Sequence, residues 1–401
     1  MSPDARPLKV FLVVGEESGD QLGARLMEAL IRRTGGAVHF SGVGGSRMQA
    51  LGLSTLFPLH DIAVMGIGPV LARLPTIVRR VYATVAAVVA EDPDVLVIID
   101  SPDFTHQVAK RVRKARPQIP VVGYVSPSVW AWRPGRARKM AAYVDHLLAI
   151  LPFEPAIHAR LAGPPTTYVG HPLIDRPNLL LGTEGERLPI AAADPPTLLV
   201  LPGSRQSEVS RLLAVFGETV KRLAASGASF DLVIPAVPHL VETIKAGTAG
   251  WVIAPRIVTG EAAKFAAFRR AHAALAASGT VTLELALAGV PMVVAYRLDA
   301  LFRVVKRVVL AMPGQVQVSS MVLPNIILGR NVVPERLDAA VTPDTLAADL
   351  GPLLADTPVR RAQVDAFADL WTLMALPGGR SPGDAAAEVV LATARRTPPA
   401  A

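Results

Sequence analysis

Short apolar runs alternate along the chain with longer segments in which apolar residues recur at helical spacing. In the first half the runs are Leu8–Val14, Val38–Val43, Val95–Asp100, Val121–Val125, His146–Leu151 and Thr167–Gly170. A second series comprises Leu198–Leu201, Phe230–Pro235, Trp251–Ala254, Ala273–Ala277 and Met292–Tyr296. Continuous apolar runs between helices are typical of parallel strands that are covered on both faces. The pattern predicts an α/β protein with two Rossmann-like, doubly wound domains facing across a cleft in which ligands bind.

The domain boundaries follow from the segment between the two series. Residues 171–196 are rich in Pro, Gly, Asp and Glu and have no sustained periodicity, which is typical of a linker. After residue 343 the pattern predicts helices only, such as Thr345–Leu354 and Val359–Leu373. We therefore predict domains over residues 1–175 and 176–342, followed by a helical C-terminal segment over 343–401.

Composition and charge limit the classes of function. The 401 residues suffice for two cores, and the absence of cysteine excludes disulfides, thiolate nucleophiles and cysteine metal sites. A net charge of +8 predicts an anionic partner, which could be nucleotide phosphate, phospholipid headgroups or nucleic acid. The longest uncharged stretch, Val308–Gly329, is interrupted by proline, glycine and polar residues, so we expect no transmembrane helix.

The first strand ends in a turn with the sequence GEESGD at residues 15–20. Its two glutamates, Glu16 and Glu17, would repel a pyrophosphate, but they suit hydrogen bonding to sugar hydroxyls or removal of a proton from one. The alternative is that both only solvate the loop. We expect Ser18 or Asp20 to cap the helix that follows.

The apolar strand Val95–Ile99 ends in Asp100, which parallel topology brings to the same sheet edge as Glu16. A carboxylate held there beside apolar neighbours suits the role of a general base. The alternative is that Asp100, like Asp103, caps the next helix.

An aromatic and basic segment follows the next strand. It contains Trp130, Trp132 and Arg133, and it is followed by Arg136, Arg138 and Lys139. Aromatic faces and arginines together could bind a sugar, a phosphate or a nucleic-acid strand, whereas core packing would explain one tryptophan. Because the scaffold is that of an enzyme and not of a nucleic-acid module, we expect no nucleic-acid binding.

Two turns of the second domain have the composition of phosphate-binding loops. One places a glycine, a hydroxyl and an arginine before a helix, and the other opens a helix with Ser-Gly-Thr and a glutamate one turn later. Such donors at a helix N-terminus suit a diphosphate, and the glutamate can reach a ribose diol. The residues concerned are Ser204, Arg205, Ser278, Gly279, Thr280 and Glu284.

These motifs together resemble the lipid-A-disaccharide synthase family over nearly the whole chain. The resemblance rests on GEESGD at 15–20, GVGGSRMQALG at 42–52, MGIGPVLARLP at 65–75, IDSPDF at 99–104, YVSPSVWAWR at 124–133, LPFE at 151–154, VGHPL at 169–173, LPGSR at 201–205, ASGT at 277–280, PMVVAYR at 291–297 and LPNIILGR at 323–330. It implies a GT-B glycosyltransferase fold, with a C-terminal region that packs back across domains or exchanges between the subunits of a homodimer.

The resemblance also implies an inverting glycosyl transfer. UDP-2,3-diacylglucosamine would donate its sugar to 2,3-diacylglucosamine 1-phosphate, giving a β-1,6-linked disaccharide and UDP. By this resemblance Asp100 deprotonates the acceptor 6-hydroxyl, Glu16 lies next to the reacting sugars and Arg205 stabilises the leaving phosphate. No cofactor or metal is required where arginine and helix N-termini neutralise the diphosphate.

The remaining binding residues also come from the resemblance. Ser278, Gly279, Thr280 and Glu284 would form the UDP site, while Arg297 and Asn325 would contact the donor. The chain departs from the family pattern at two positions, where the family usually has a small residue and a glutamine. These are Glu17 and Asp338.

Substrates with acyl chains imply apolar surface near the site. Two segments combine an apolar stripe with basic residues that suit anionic headgroups, and the alternative for each is a buried helix with snorkelling arginines. We expect a cytoplasmic protein that binds anionic phospholipid peripherally, on the inner face of the inner membrane. The candidate contacts are Met65, Val70, Leu71 and Leu74 in one segment, and Phe302, Arg303, Lys306 and Arg307 in the other.

Two alternatives remain open at this stage. One is another UDP-sugar enzyme of GT-B type, such as an N-acetylglucosaminyl transferase or an epimerase. The other is a catalytically dead, membrane-bound nucleotide sensor, which the presence of Asp100, Arg205, Glu284 and Asn325 disfavours.

Overall fold

The computed structural model describes residues 6–62, 67–297 and 320–394, and for 67–72 the backbone alone. The chain divides into two compact units. The first consists of the residues up to Asp175 together with those from Ala375 onward, and the second spans Arg176–Met374. The helices after residue 343 are thus shared between the two units.

Strands and helices alternate along most of the described chain. The strands are β1 (Leu8–Val14), β2 (Val38–Val43), β3 (Ser54–Thr55), β4 (Val95–Ile99), β5 (Val121–Tyr124), β6 (His146–Ala149), β7 (Thr166–Tyr168), β8 (Thr197–Leu201), β9 (Asp231–Ala236), β10 (Arg256–Thr259), β11 (Ala273–Ala277), β12 (Met292–Tyr296) and β13 (Glu335–Leu337). The α-helices are α1 (Glu17–Thr34), α2 (Ser46–Ala50), α3 (Ile67–Glu91), α4 (Pro102–Ala115), α5 (Gly135–Met140), α6 (Glu154–Arg160), α7 (Pro177–Leu180), α8 (Gln206–Ala225), α9 (Val241–Thr248), α10 (Glu261–Arg270), α11 (Val281–Leu287), α12 (Leu323–Leu328), α13 (Pro343–Leu350), α14 (Pro358–Met374) and α15 (Pro382–Ala394).

The first unit contains a seven-stranded parallel sheet in the order β3-β2-β1-β4-β5-β6-β7. Its central strand, β4, is wholly apolar, and all five of its residues are buried. Alternate strand residues therefore point into two cores, one on each face of the sheet. One core contains Val97 with Leu26 of α1 and Val390 of α15, and the other contains Ile98 with Val108 of α4.

The last helix of the described chain completes the first of these cores. α15 lies so close to α1 that a Cβ on Gly383 would stand 3.1 Å from the carbonyl oxygen of Arg25. An ion pair of 3.1 Å between Arg32 and Asp384 joins the same two helices. The C-terminal helix is thus an integral part of the first unit.

The second unit repeats the same winding with a six-stranded parallel sheet in the order β10-β9-β8-β11-β12-β13. Its core lies between the sheet and helices α8 and α13, where Phe216, Val220 and Leu346 are buried. Because both sheets begin with the order 3-2-1-4, each has a point at which the winding reverses, between its first and fourth strands.

The predicted α/β class with two doubly wound units agrees with these sheets, and the strands β1, β2, β11 and β12 have the predicted bounds. The strand predicted over Trp251–Ala254 is wrong, because the sheet is joined by β10 five residues later. Trp251 instead ends the turn after α9 and packs against Gly217, and Val252 is 57% exposed. β10 is an edge strand with polar residues at both ends. It therefore lacks the continuous apolar run from which the other strands are predicted.

Candidate active site

Open parallel sheets bind their ligands at the carboxyl ends of the strands where the winding reverses. In the first unit that point lies between β1 and β4, and in the second between β8 and β11. The loops after these four strands carry most of the predicted site residues: Glu16, Asp100, Ser204, Arg205, Ser278, Gly279 and Thr280. Each unit thus has a candidate site at the position that its topology favours.

Asp100 is held in a tight turn between β4 and α4. Its φ is +53° and that of Ser101 is +45°, values that such residues adopt rarely and at an energetic cost. The turn also lies against Gly15, where a Cβ would stand 2.3 Å from the Cβ of Ser101. The absence of a side chain at Gly15 therefore leaves the room that Ser101 occupies.

The carboxylate of Asp100 joins the first turns of two helices. One oxygen accepts a hydrogen bond of 2.7 Å from the N–H of Ser101, where α4 begins. The other accepts a hydrogen bond of 3.2 Å from the hydroxyl of Ser18 in α1. This arrangement fixes the orientation of the carboxylate at the sheet edge, as a general base requires.

The expected cap of α1 is wrong. Its N-cap residue is Glu16, whose side chain makes no capping hydrogen bond. Glu16 is partly exposed and comes two residues before Ser18, the partner of Asp100. The buried carboxylate of Asp20 instead accepts hydrogen bonds from the N–H groups that begin α2, at 2.7 Å from Gly45 and 3.0 Å from Arg47. Asp20 therefore caps a helix that begins 26 residues later in the chain.

Glu17, one of the two departures from the family pattern, lies in an exposed ion pair. Its carboxylate is 3.5 Å from the guanidinium of Arg47. The other departure, Asp338, follows β13 in the second unit with a φ of +49°. β13 is the edge strand of its sheet, two strands away from β11.

In the second unit, the predicted UDP-binding residues converge on one cavity of about 600 Å³. Loops after β8, β9 and β11 contribute to it, together with the first turns of α8, α10 and α11. The predicted residues that line it are Ser204, Arg205, Ser278, Gly279, Thr280 and Glu284. Three charged residues of this cavity were not predicted from the sequence: Glu208, Glu261 and Lys264.

Glu208 occupies the place at the N-terminus of α8 where an anion would bind. Its carboxylate accepts hydrogen bonds from the N–H groups of Ser204 (3.0 Å) and Arg205 (3.3 Å), and the Arg205 guanidinium lies 3.3 Å from it. Gly203 makes this turn with a φ of +121°, and a Cβ there would stand 2.5 Å from Glu208. The turn therefore already presents its donors to an oxyanion.

Glu284 is paired with Lys264 across the cavity wall. The ammonium group lies 3.0 Å and 2.8 Å from the two carboxylate oxygens. It also lies 4.4 Å from the ring centroid of Phe265, so it is held from two sides. No local motif marks Lys264, because its partner is 20 residues away on another helix.

Two residues expected to contact the donor have structural partners and do not line this cavity. Asn325 is 3% exposed, and its amide bonds the backbone of Val332 and Val333. Arg297 donates to the carbonyl oxygens of Arg211 and Val341, at 3.3 Å and 2.7 Å. Both therefore stabilise the loops beside β12 and β13 within the second unit.

The membrane-contact predictions fall largely outside what the structure describes. This holds for Met65 and for Phe302, Arg303, Lys306 and Arg307, while Val70 and Leu71 have only their backbone described. Leu74 is 48% exposed on α3, and Val78 and Tyr82, one and two turns later, are similarly exposed. Across the described ranges, no helix is both long and apolar enough to cross a bilayer.

No group of three histidine, aspartate or glutamate side chains in the described parts of the chain could hold a metal ion. The two edges present carboxylates, hydroxyls, backbone donors and cations. The first unit offers an oriented carboxylate, and the second a cavity lined by backbone and side-chain donors.

A family model described as lipid-A-disaccharide synthetase matches residues 10–379. The chain belongs to this family. Among its relatives, the lipid-A-disaccharide synthase of Nitrobacter hamburgensis is 54% identical over 96% of this chain and 95% of its own length. That of Bradyrhizobium diazoefficiens is 50% identical over 97% of both chains. Membership of the lipid-A-disaccharide synthetases confirms the predicted enzyme class, a glycosyltransferase of lipid A biosynthesis.

Solved structures confirm the GT-B fold class of this family member. A UDP-GlcNAc 2-epimerase from Neisseria meningitidis superposes with a TM-score of 0.59 at 12% identity, covering 97% of this chain and all of its own. The calicheamicin glycosyltransferase CalG4 gives a TM-score of 0.57 at 15% identity, covering 98% and 100%. At such low identity these likenesses show the fold alone.

Proposed function

We propose that the protein transfers diacylglucosamine from UDP-2,3-diacylglucosamine to the 6-hydroxyl of 2,3-diacylglucosamine 1-phosphate. The observation that carries this proposal is that both doubly wound units have their candidate residues where the winding reverses. One such edge presents an oriented carboxylate, Asp100, and the other a cavity with donors for a nucleoside diphosphate.

The reaction is a single displacement. Asp100 takes the proton of the acceptor hydroxyl, whose oxygen forms a bond to the anomeric carbon of the donor. The bond from that carbon to the diphosphate breaks, and its electron pair leaves with UDP. Attack opposite the leaving group inverts the anomeric centre, and Glu16 lies at the edge where the reacting sugars would sit.

The second unit serves the leaving group in this proposal. The diphosphate takes the place of the Glu208 carboxylate on the N–H groups of Ser204 and Arg205. The Arg205 side chain, which is 69% exposed, is then available to the phosphate charge that develops. Ser278, Gly279 and Thr280 add further donors, and Glu284 binds the ribose hydroxyls.

The decisive experiment incubates the purified protein with both acylated substrates in detergent micelles. Mass spectrometry should detect the tetraacyl disaccharide phosphate and UDP. An unacylated acceptor discriminates the alternative enzymes, since an N-acetylglucosaminyl transferase or an epimerase does not require two acylated sugars. UDP binding without any turnover would instead favour the nucleotide sensor.

We also propose that the enzyme docks peripherally on anionic phospholipid at the inner face of the inner membrane. The exposed stripe of Leu74, Val78 and Tyr82 on α3 supports this, because these apolar side chains repeat at helical spacing on one face. Replacing Leu74 and Val78 by serine should release the protein from liposomes in a flotation assay. Serine at Val252 and Val359, which are exposed in the second unit, provides the control.

The second basic segment is tested in the same way. Glutamate at Arg303, Lys306 and Arg307 should abolish flotation with anionic liposomes, because it reverses three positive charges. Unchanged flotation would remove this segment from the proposed membrane contact.

A further inference from the structure

The first unit contains a second cavity, of about 440 Å³, between α4 and the segment around α5. We refer to it as the basic pocket. Four of its lining side chains are cationic, and one carboxylate accompanies them. The charged residues are Asp103, Lys110, Arg133, Arg136 and Lys139.

The positive charge of the basic pocket is poorly balanced. Asp103 lies 3.6 Å from Arg136, but its side chain is 97% exposed, so solvent screens this pair. No carboxylate of the described residues pairs with Lys110, Arg133 or Lys139. Other arginines of the same unit do have acidic partners, as seen at Arg32, Arg80 and Arg113. A pocket lined by cations with so little compensating negative charge attracts anions.

The wall of the basic pocket is ordered beneath these cations. His106 is buried, and its Nδ1 lies 3.0 Å from the hydroxyl of Tyr143. The Lys110 ammonium lies 5.2 Å from the Tyr143 ring centroid. Burial, followed by the charges of Lys110 and Arg136, lowers the pKa of His106 to about 4. The imidazole is therefore neutral near pH 7, and the charge of the pocket belongs to the lysines and arginines.

The position of the basic pocket connects it to the candidate base. Pro102, the first residue of α4, lines the pocket and comes two residues after Asp100. The pocket therefore adjoins the turn that orients the carboxylate of Asp100.

The chemistry of the pocket fits a phosphate monoester. Such a group has two negative charges and several acceptor oxygens, which ammonium and guanidinium groups bind with charge-assisted hydrogen bonds. The donor diphosphate already has candidate partners in the cavity of the second unit. We propose that the basic pocket binds the phosphate of the acceptor and thereby orients its hydroxyl toward Asp100. This proposal rests on the proposed function.

The test uses the double variant Lys110→Gln/Lys139→Gln, whose two side chains are exposed. The control is Lys114→Gln/Arg116→Gln, which removes two exposed charges at the C-terminal end of α4 without touching the pocket. KM for the phosphorylated acceptor should rise by about tenfold or more in the first variant. KM for the UDP-sugar should stay unchanged, and the control should match the wild type.

A dephosphorylated acceptor isolates the phosphate contribution. The KM of the wild type for this acceptor should be about as high as the KM of the double variant for the phosphorylated acceptor. The double variant should no longer distinguish the two acceptors. An equal loss of activity on both acceptors, or an unchanged KM for the phosphorylated one, would overturn the proposal.

Two further measurements separate the pocket from the proposed reaction. Calorimetric titration with glucosamine 1-phosphate needs no turnover, and it should show binding to the wild type and to the control but not to the double variant. Flotation with phosphatidylglycerol vesicles tests a lipid headgroup as the source of the phosphate. Reduced flotation of the double variant with normal acceptor kinetics would assign the pocket to membrane lipid and overturn the proposal.

Discussion

The two units place candidate residues at the same point of the same winding, but they hold them differently. At the edge of the first unit, Asp100 is fixed by a left-handed turn and by hydrogen bonds to Ser18 and Ser101. At the edge of the second, Glu208 and Lys264 occupy positions that a ligand would have to share. A base gains from an orientation fixed in advance, whereas a binding cavity must exchange internal partners for those of its ligand. The difference suggests a division between chemistry in the first unit and nucleotide binding in the second.

The largest expected effect tests the first half of this comparison. Asp100→Asn should lower kcat by about a thousandfold, because the amide keeps the shape of the turn but cannot accept a proton. Calorimetry should show that UDP binds the variant as it binds the wild type. Retained turnover would remove Asp100 from the role of base.

The next effect tests the second half. Glu284→Gln should raise the Kd for UDP about tenfold with little change in kcat, since it weakens a charged contact to the ribose and leaves Lys264 without its partner. Glu242→Gln is a matched control, because that glutamate forms an exposed pair of 2.9 Å with Lys245. A kcat loss that exceeds the loss of UDP affinity would break the proposed division.

A smaller effect concerns the orientation of the base. Ser18→Ala should lower kcat by about fivefold and leave UDP affinity unchanged, since it removes one hydrogen bond to the carboxylate. The measurement is the steady-state rate of this variant. Ser210→Ala is the control, because the Ser210 hydroxyl is bonded to the backbone of Ser207. If the two variants behave alike, Ser18 does not position the base.

The smallest effect concerns a carboxylate buried beneath the aromatic segment. Burial raises the pKa of Glu154 to about 8, so its protonated form is favoured in the folded state. The wild type should therefore lose stability as the pH rises from about 4.5, the unfolded value, through 8. Glu154→Gln should match the wild type at pH 4.5 and melt about 3 °C higher near pH 8.5. A difference in Tm that does not vary with pH would contradict the assignment.

The sequence predicts the strands well because buried parallel strands require continuous apolar runs, as in β4 and β11. The ends of these runs also locate the turns that follow them. Side-chain partners are harder to predict, since they depend on residues distant in the chain. Asp20 caps α2 and Lys264 pairs with Glu284, and neither contact has a local signal.

The roles of polar residues within motifs show the same limit. Asn325 and Arg297 lie in strings that carry the family resemblance, yet both are bonded to backbone groups of nearby loops. A motif marks that a position matters without saying whether it binds a ligand or maintains the protein's shape. The hydrogen-bond partners reveal a structural role for both residues, and they become visible only in three dimensions.

The return of α15 to the first unit affects how the protein can be made. Leu376, Ala386 and Val390 belong to the core that also contains Leu26 and Val97, so that core lacks part of its filling while the ribosome is still translating the middle of the gene. Every described strand and helix of the second unit precedes Ala375, so all of them are translated before α15. A chain that ended before α15 would consequently lack part of the first unit's core while keeping every described element of the second.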